Sequence, residues 1–247
     1  MLENDKVYLM DCLEGLKQIE SNSIDLVVTD PPYKVISGGN KDRGTNGFPN
    51  SVLNRNDGKI FDFNDIDFKD WFPEIYRVLK NNTHFYCMTN VINLEEILRL
   101  GREVGFNLHN VLVWEKNTAN PNRWYMKNCE FTVMFYKGNA KTINFPGSKQ
   151  VHHFDNIVGN KQHPTQKPVA LMELYIKNSS QEGELVLDPF MGSGATAVAC
   201  KNLKRHFIGF EIDPKFYSVI QENLSIKKEE PLTDGLFSIL EEVSIRG

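Results

Sequence analysis

Five consecutive residues, Thr29-Asp30-Pro31-Pro32-Tyr33, bring together a carboxylate, two ring-locked prolines and an aromatic ring. They follow an apolar run, Ile24-Asp25-Leu26-Val27-Val28, of the kind that makes a buried strand. Proline cannot continue a central strand, so the chain stiffens as it leaves the sheet, and Asp30 and Tyr33 project from a rigid corner. Such a corner suits a flat ring that carries an amino group. The Asp30 carboxylate and the Pro31 carbonyl can each hold one N–H and turn the nitrogen lone pair toward an electrophile, while Pro32 keeps the turn stiff. The ring of Tyr33 can stack on the heterocycle, a contact worth roughly 1–3 kcal/mol per base. A base in a duplex reaches this corner only if it is flipped out, at a cost of about a few kcal/mol. An Asp-Pro turn alone is a common strand ending, so it is the five residues together, after that strand, that point to chemistry.

A second constellation runs Leu187-Asp188-Pro189-Phe190-Met191-Gly192-Ser193-Gly194-Ala195-Thr196: a strand end, a glycine-rich turn and a helix start. Glycine lets backbone approach a ligand closely, and free N–H groups at a helix N-terminus attract an anion, which here could be the carboxylate of a methionine moiety. No Gly-Lys-Ser/Thr follows, which excludes a Walker phosphate loop, and GxGxxG is absent. About twenty residues on, the next apolar run ends in Glu211, where an acid in a nucleotide-binding sheet accepts from ribose hydroxyls. Taken alone, the glycines also have a purely structural reading.

These residues need a scaffold. Apolar runs at 7–10, 24–29, 83–89, 108–114, 131–136, 184–187 and 207–212 read as strands. Helical patterns fall at 13–19, 68–79, 94–104, 168–179, 195–203 and 214–224. The alternation predicts an α/β protein with a doubly wound, mostly parallel sheet, whose ligands sit beyond the carboxyl ends of the strands. A chain of 247 residues, 40% hydrophobic, can bury about 70–75% of its unfolded surface, so one domain over 1–226 is expected. Two stretches resist the pattern and read as long surface loops: 34–62, with five glycines, expected to be mobile, and the polar 138–162. Residues 227–247 form a tail with an apolar rhythm at Leu236, Phe237, Leu240 and Val243, which suggests a small amphipathic helix.

The formal charge of −4 hides an asymmetry. Between residues 116 and 167 eight basic residues face only Glu130 and Asp155, so a basic segment rides on an acidic body. That is the footprint of a phosphate-binding face, although an ordinary solvated surface has the same composition. Cys12, Cys87, Cys129 and Cys200 show no metal-ligand spacing and no disulfide framework, which reads as a reducing, cytoplasmic setting with no metal. No stretch approaches the roughly 18 apolar residues of a membrane span, and the N-terminus does not look like a secretion signal.

Asp30-Pro31-Pro32-Tyr33, then His163-Pro164-Thr165-Gln166-Lys167-Pro168, then Asp188-Pro189-Phe190-Met191-Gly192-Ser193-Gly194 resemble, in type and in order, the permuted β class of DNA amino-methyltransferases. The resemblance spans residues 5–225. It implies a Rossmann-like methyltransferase sheet with an antiparallel hairpin strand, S-adenosylmethionine as cofactor, and transfer to adenine N6 or cytosine N4. It places Asp11 and Cys12 near the cofactor adenine and Lys167 with its neighbours, Thr165 among them, over the methionine end, and it counts Asp30 among the cofactor-binding residues. Asp188, Phe190, Gly192, Gly194 and Glu211 complete the cofactor set. It further implies double-stranded DNA as partner, with a homodimer and a cognate restriction nuclease as companions, and a target-recognition region within 138–162. There Lys141, Lys149 and Lys161 are candidates for phosphate contact, and Asn144, Gln150, His152 and His153 for base edges. The chain departs from the family at Ala195, where a threonine is common.

The expected reaction is direct in-line transfer with no covalent enzyme intermediate, since no cysteine stands in a Pro-Cys setting. Asp, rather than Ser, at the head of the Pro-Pro-Tyr motif favours adenine over cytosine. Methylation of RNA or of a protein amide, and a non-catalytic DNA-binding subunit, share parts of the pattern.

Overall fold

The computed structural model describes residues 2–32, 66–120, 124–157 and 166–225. Tyr33, the 34–62 loop, Lys161, Thr165 and the 227–247 tail lie outside the described residues.

Strands β1 (Lys6–Leu9), β2 (Ile24–Thr29), β3 (Leu79–Thr89), β4 (Asn107–Asn120), β5 (Lys127–Lys137), β6 (Val151–His153), β7 (Leu185–Asp188) and β8 (His206–Glu211) form one sheet in the order β1-β8-β7-β2-β3-β5-β4-β6. Every pairing is parallel except those of β5, which runs against β3 on one side and β4 on the other. The reversal follows from chain length: β4 and β5 are joined by a short hairpin, whereas a parallel return needs a crossover of a dozen residues or more, roughly a helix. As a result β5 presents its first residues at the edge where its neighbours present their last. The mostly parallel α/β sheet with one reversed strand is the expected architecture.

Helices cover both faces. On one side lie α1 (Cys12–Lys17), α2 (Phe68–Val78) and α3 (Leu94–Val104); on the other α4 (Val169–Ser179), α5 (Ala195–Asn202) and α6 (Pro214–Ser225). The stripe on α2 shows why: Phe68, Trp71, Phe72, Ile75 and Val78 recur on one helical face and are all buried. Each such side chain contributes about 1.5–3 kcal/mol when removed from water. Strand β2 is fully covered, with Leu26, Val27 and Val28 each at 0% exposure, so it reads as a continuous apolar run instead of an alternation.

Two differences from the expected layout have local causes. Strands β4 and β5 extend well beyond their apolar runs, because hairpin partners supply each other's backbone hydrogen bonds where no core lies beneath. The stretch 138–162 is not simply loop. Val151–His153 forms β6, pairing Val113, Trp114 and Glu115 of β4, and the Asn144 N–H donates to the Asn178 carbonyl at 2.8 Å. Three residues are too few for periodicity to register, and only the open edge of β4 creates the pairing.

Candidate active site

The sheet reverses its winding between β7 and β2. From β2 the chain crosses through α2 to β3 on one side, and from β7 through α5 to β8 on the other. The crevice at such a switch point, beyond the carboxyl ends, is where α/β sheets bind ligands. Asp30 leaves the end of β2 there and Asp188 ends β7, so the tertiary fold brings the two sequence constellations together.

Asp188 is the joint. Its Oδ1 accepts from Thr29 Oγ1 at 2.7 Å and from the Phe190 N–H at 3.1 Å, and its Oδ2 accepts from Thr196 Oγ1 at 2.6 Å. Burial drives its pKa up to about 7, against the two hydroxyls and the amide that favour the carboxylate. Both oxygens thus work within the protein, tying β2 to β7 and to the first turn of α5. Thr196, next to the departure at Ala195, supplies one of these hydroxyls.

The glycine-rich turn needs its glycines. Gly192 has φ 56° and Gly194 φ 84°, both left-handed, and a Cβ on Gly194 would stand 3.2 Å from Ile220 Cγ2. Glu211 holds this turn: its Oε2 accepts the Gly192 N–H at 2.8 Å and its Oε1 the Asp213 N–H at 2.9 Å. Burial raises its pKa, opposed by those N–H donors. Exposed Leu9 and Ile212 flank it at the ends of β1 and β8. A carboxylate acceptor between apolar side chains beside a glycine turn suits the ribose hydroxyls and flat ring of an adenosine-bearing ligand. Asp11 caps α1, its Oδ1 accepting the Leu13 N–H at 2.8 Å, and Cys12 is buried, its thiol pushed up to about 12.

Asp30 lies in a cluster of charges. Its Oδ2 accepts from Lys167 Nζ, and Lys167 Nζ also reaches Glu130 Oε2 at 3.3 Å. Glu130 Oε1 in turn accepts from Lys116 Nζ. Asp30 Oδ1 is buried and has no hydrogen-bond partner among the described residues. Burial raises the Asp30 pKa, Lys167 pulls it down, and Glu130 pushes it up again. Burial also pushes Glu130 up, but Lys167 and Lys116 outweigh it and its pKa falls.

Sequence reasoning gave no role in the site to Glu130, Lys116, Thr29 or Thr196, although Thr29 and Thr196 lie within its two constellations. For Glu130 a signal existed: it is an acid inside the basic segment, at the threshold of an apolar strand. Its role depends on the reversal of β5, which composition does not show.

The basic segment is only partly surface. Lys137 Nζ donates to the carbonyls of Tyr76 at 2.6 Å and Leu79 at 2.7 Å and to Asn22 Oδ1 at 2.8 Å, while Lys116 and Lys167 are in the charge cluster. Lys127, Lys141 and Lys149 are exposed. Of the base-edge candidates, Asn144 Nδ2 donates to the Lys177 and Ser180 carbonyls, and Gln150 Nε2 donates to the Val111 carbonyl at 2.7 Å. His152 packs edge-on to Tyr175, and the exposed His153 lies 3.1 Å from Glu115. At the β4–β5 tip, on the same sheet edge as Asp30, Trp124, Tyr125 and Met126 are exposed. No described helix is long and apolar enough to cross a membrane.

A doubly wound sheet with a carboxylate corner and a glycine turn at its switch point is a Rossmann-like α/β fold with a crevice suited to a nucleotide-like ligand. The match to known proteins is narrower: residues 24–222 fit the DNA methylase family model, and the chain belongs to that family. It is 30% identical over 246 residues to the type II methyltransferase M.HpaI of Haemophilus parainfluenzae, covering 90% of this chain and 74% of that protein. It is 30% identical over 254 residues to M.HinfI of Haemophilus influenzae, covering 93% and 70%. Among solved structures, the M1.HpyAVI–SAM complex superposes with a TM-score of 0.67 at 27% identity over 90% of this chain and 99% of that one. The cytosine-N4-specific PvuII DNA methyltransferase shares the fold, with a TM-score of 0.70 at 19% identity over 100% and 94%.

Proposed function

We propose that this DNA methyltransferase transfers a methyl group to adenine N6 in double-stranded DNA, by direct in-line attack of a flipped base. Its cofactor is S-adenosylmethionine, which supplies a sulfonium-activated methyl group when bound. The observation that carries the reading is the Oδ1 of Asp30 at the switch point, buried and without a partner among the described residues. A buried acceptor without a partner costs about 1–3 kcal/mol, and an amino N–H entering the corner satisfies it.

The chain's own residues align and desolvate. Asp30 Oδ1 takes one N–H and the Pro31 carbonyl the other, which leaves the nitrogen lone pair facing the donor side, where the Gly192–Gly194 turn and Glu211 hold the cofactor. The nitrogen gains the methyl carbon as the sulfur–carbon bond breaks and its electron pair returns to sulfur. The methylated amine then loses one proton, and Asp30, its pKa raised by burial, is placed to receive it. The thiols of Cys12, Cys87 and Cys200 are poor nucleophiles here, buried and with pKa values raised by that burial. Asp30 itself supports adenine, because a full carboxylate stands where a serine would suit cytosine. A homodimer and a cognate restriction nuclease belong to this reading through the family resemblance alone.

Purified chain, incubated with unmodified DNA and labelled cofactor, is tested by digesting the product to nucleosides. N6-methyladenine is the expected product. N4-methylcytosine as the sole product would overturn the choice of base.

A further inference from the structure

The charges behind Asp30 alternate in sign: Asp30, Lys167, Glu130, Lys116. They come from the end of β2, the segment before α4, the first part of β5 and the middle of β4. All are largely withdrawn from water, with side-chain exposures of 18%, 5%, 23% and 17%. Such a line is a poor way to stabilise a fold, since well-packed apolar residues often do as well or better. What it does well is hold one carboxylate in one orientation. Lys167 sits on one oxygen of Asp30, the other has no partner among the described residues, and Glu130 grips Lys167 from the far side.

We propose that Lys167 and Glu130 are positioning residues for methyl transfer: Lys167 occupies Asp30 Oδ2 so that Oδ1 alone meets the base's amino group, and Glu130 keeps Lys167 in place. The inference rests on Asp30 being the acceptor of the amine, as proposed above. It assigns Lys167 to the base side of the crevice, whatever its contact with the cofactor.

The two residues act on Asp30 with opposite sign. Removing the Lys167 ammonium takes away the opposite charge that favours the carboxylate and leaves two buried acids facing each other. Removing the Glu130 charge takes away a repulsion on Asp30 and loosens the far-side hold on Lys167, whose own attraction to Asp30 remains. Among the described residues the other titratable groups near Asp30 are Lys116 on β4, Asp188 on β7 and the Cys87 thiol on β3, and neither substitution alters their identity.

The test uses the full chain as wild type, Lys167→Met, Lys167→Arg and Glu130→Gln. Two quantities are read: the acid limb of kcat at saturating cofactor, and the titration of the Asp30 carboxyl carbon by NMR, assigned with Asp30→Asn. Lys167→Met should move both to higher pH by about 1 unit or more and cut kcat by about 10²-fold, with cofactor Kd changed only a few-fold. Glu130→Gln should move both to lower pH, and Lys167→Arg should return them toward wild type. Shifts of the same sign, no shift, or a Lys167→Met effect confined to cofactor Kd would overturn the proposal. If the wild type methylates no DNA, the functional reading fails, while the carboxyl titration still supports or overturns the assignment of Lys167 and Glu130.

Discussion

Thr196→Val replaces a hydroxyl by a methyl group of nearly the same shape, and it removes the donor that reaches Asp188 Oδ2 at 2.6 Å. The two groups are buried, at 1% and 3% exposure, so water does not compensate. A hydrogen bond to a charged acceptor contributes about 1.5–3 kcal/mol, and to a neutral one about 1 kcal/mol. Which figure applies depends on pH. The folded pKa of Asp188, about 7, lies above the ordinary carboxylate value of 3.8, so the fold favours its neutral form. Its contribution to stability is therefore complete below about pH 4 and declines as pH rises through about 7. Losing the Thr196 hydroxyl raises that pKa further and deepens the decline. Urea unfolding at pH 5.5 should show a deficit of about 1 kcal/mol relative to wild type, and at pH 9 a deficit of about 1.5–3 kcal/mol. For a chain of this size the larger deficit lowers Tm by about 3–12 °C. An equal deficit at both pH values, or none, would show that Asp188 does not titrate as the clamp between β2 and β7.

Three further outcomes follow from the site. Asp30→Ala should abolish methyl transfer, with cofactor Kd by calorimetry within a few-fold of wild type; near-normal turnover would refute the acceptor assignment. Gly194→Val places a β-branched residue at φ 84° against Ile220, at a cost of about 1–2 kcal/mol or more, and Glu211→Ala releases the Gly192 N–H. Both should weaken cofactor binding, and unchanged affinity in both would displace the cofactor from this turn. Neutralising Lys141, Lys149 and Lys161 together should weaken binding to every DNA sequence and reduce the salt slope by about 1 for each phosphate no longer neutralised, whereas replacing Gln150, His152 and His153 should alter which sequence is methylated. A methylation map unchanged by the second set would remove base readout from those side chains.

Local chemistry made much of this protein legible before its structure. Ile24–Thr29 reads as a strand because five of its six residues are apolar or β-branched, and the prolines after Asp30 announce where it must end. Leu94–Val104 reads as a helix because its apolar residues recur on one face and Gly105, at φ 113°, stops it. The glycine turn before α5 declares itself through residues that only a left-handed backbone requires. Such features depend on neighbours within one turn or one strand, so periodicity and residue type carry them. The contacts that make the site work span far more of the chain. Thr29 meets Asp188 across 159 residues, and Asp30 meets Lys167 across 137. Glu130 reaches them only because β5 runs backward, and Lys137, which counts as one more surface charge in the sequence, is held inside by backbone carbonyls. A charge in a sequence has a sign but no partner; burial and strand direction choose the partner, and those were settled only when the sheet closed around the switch point.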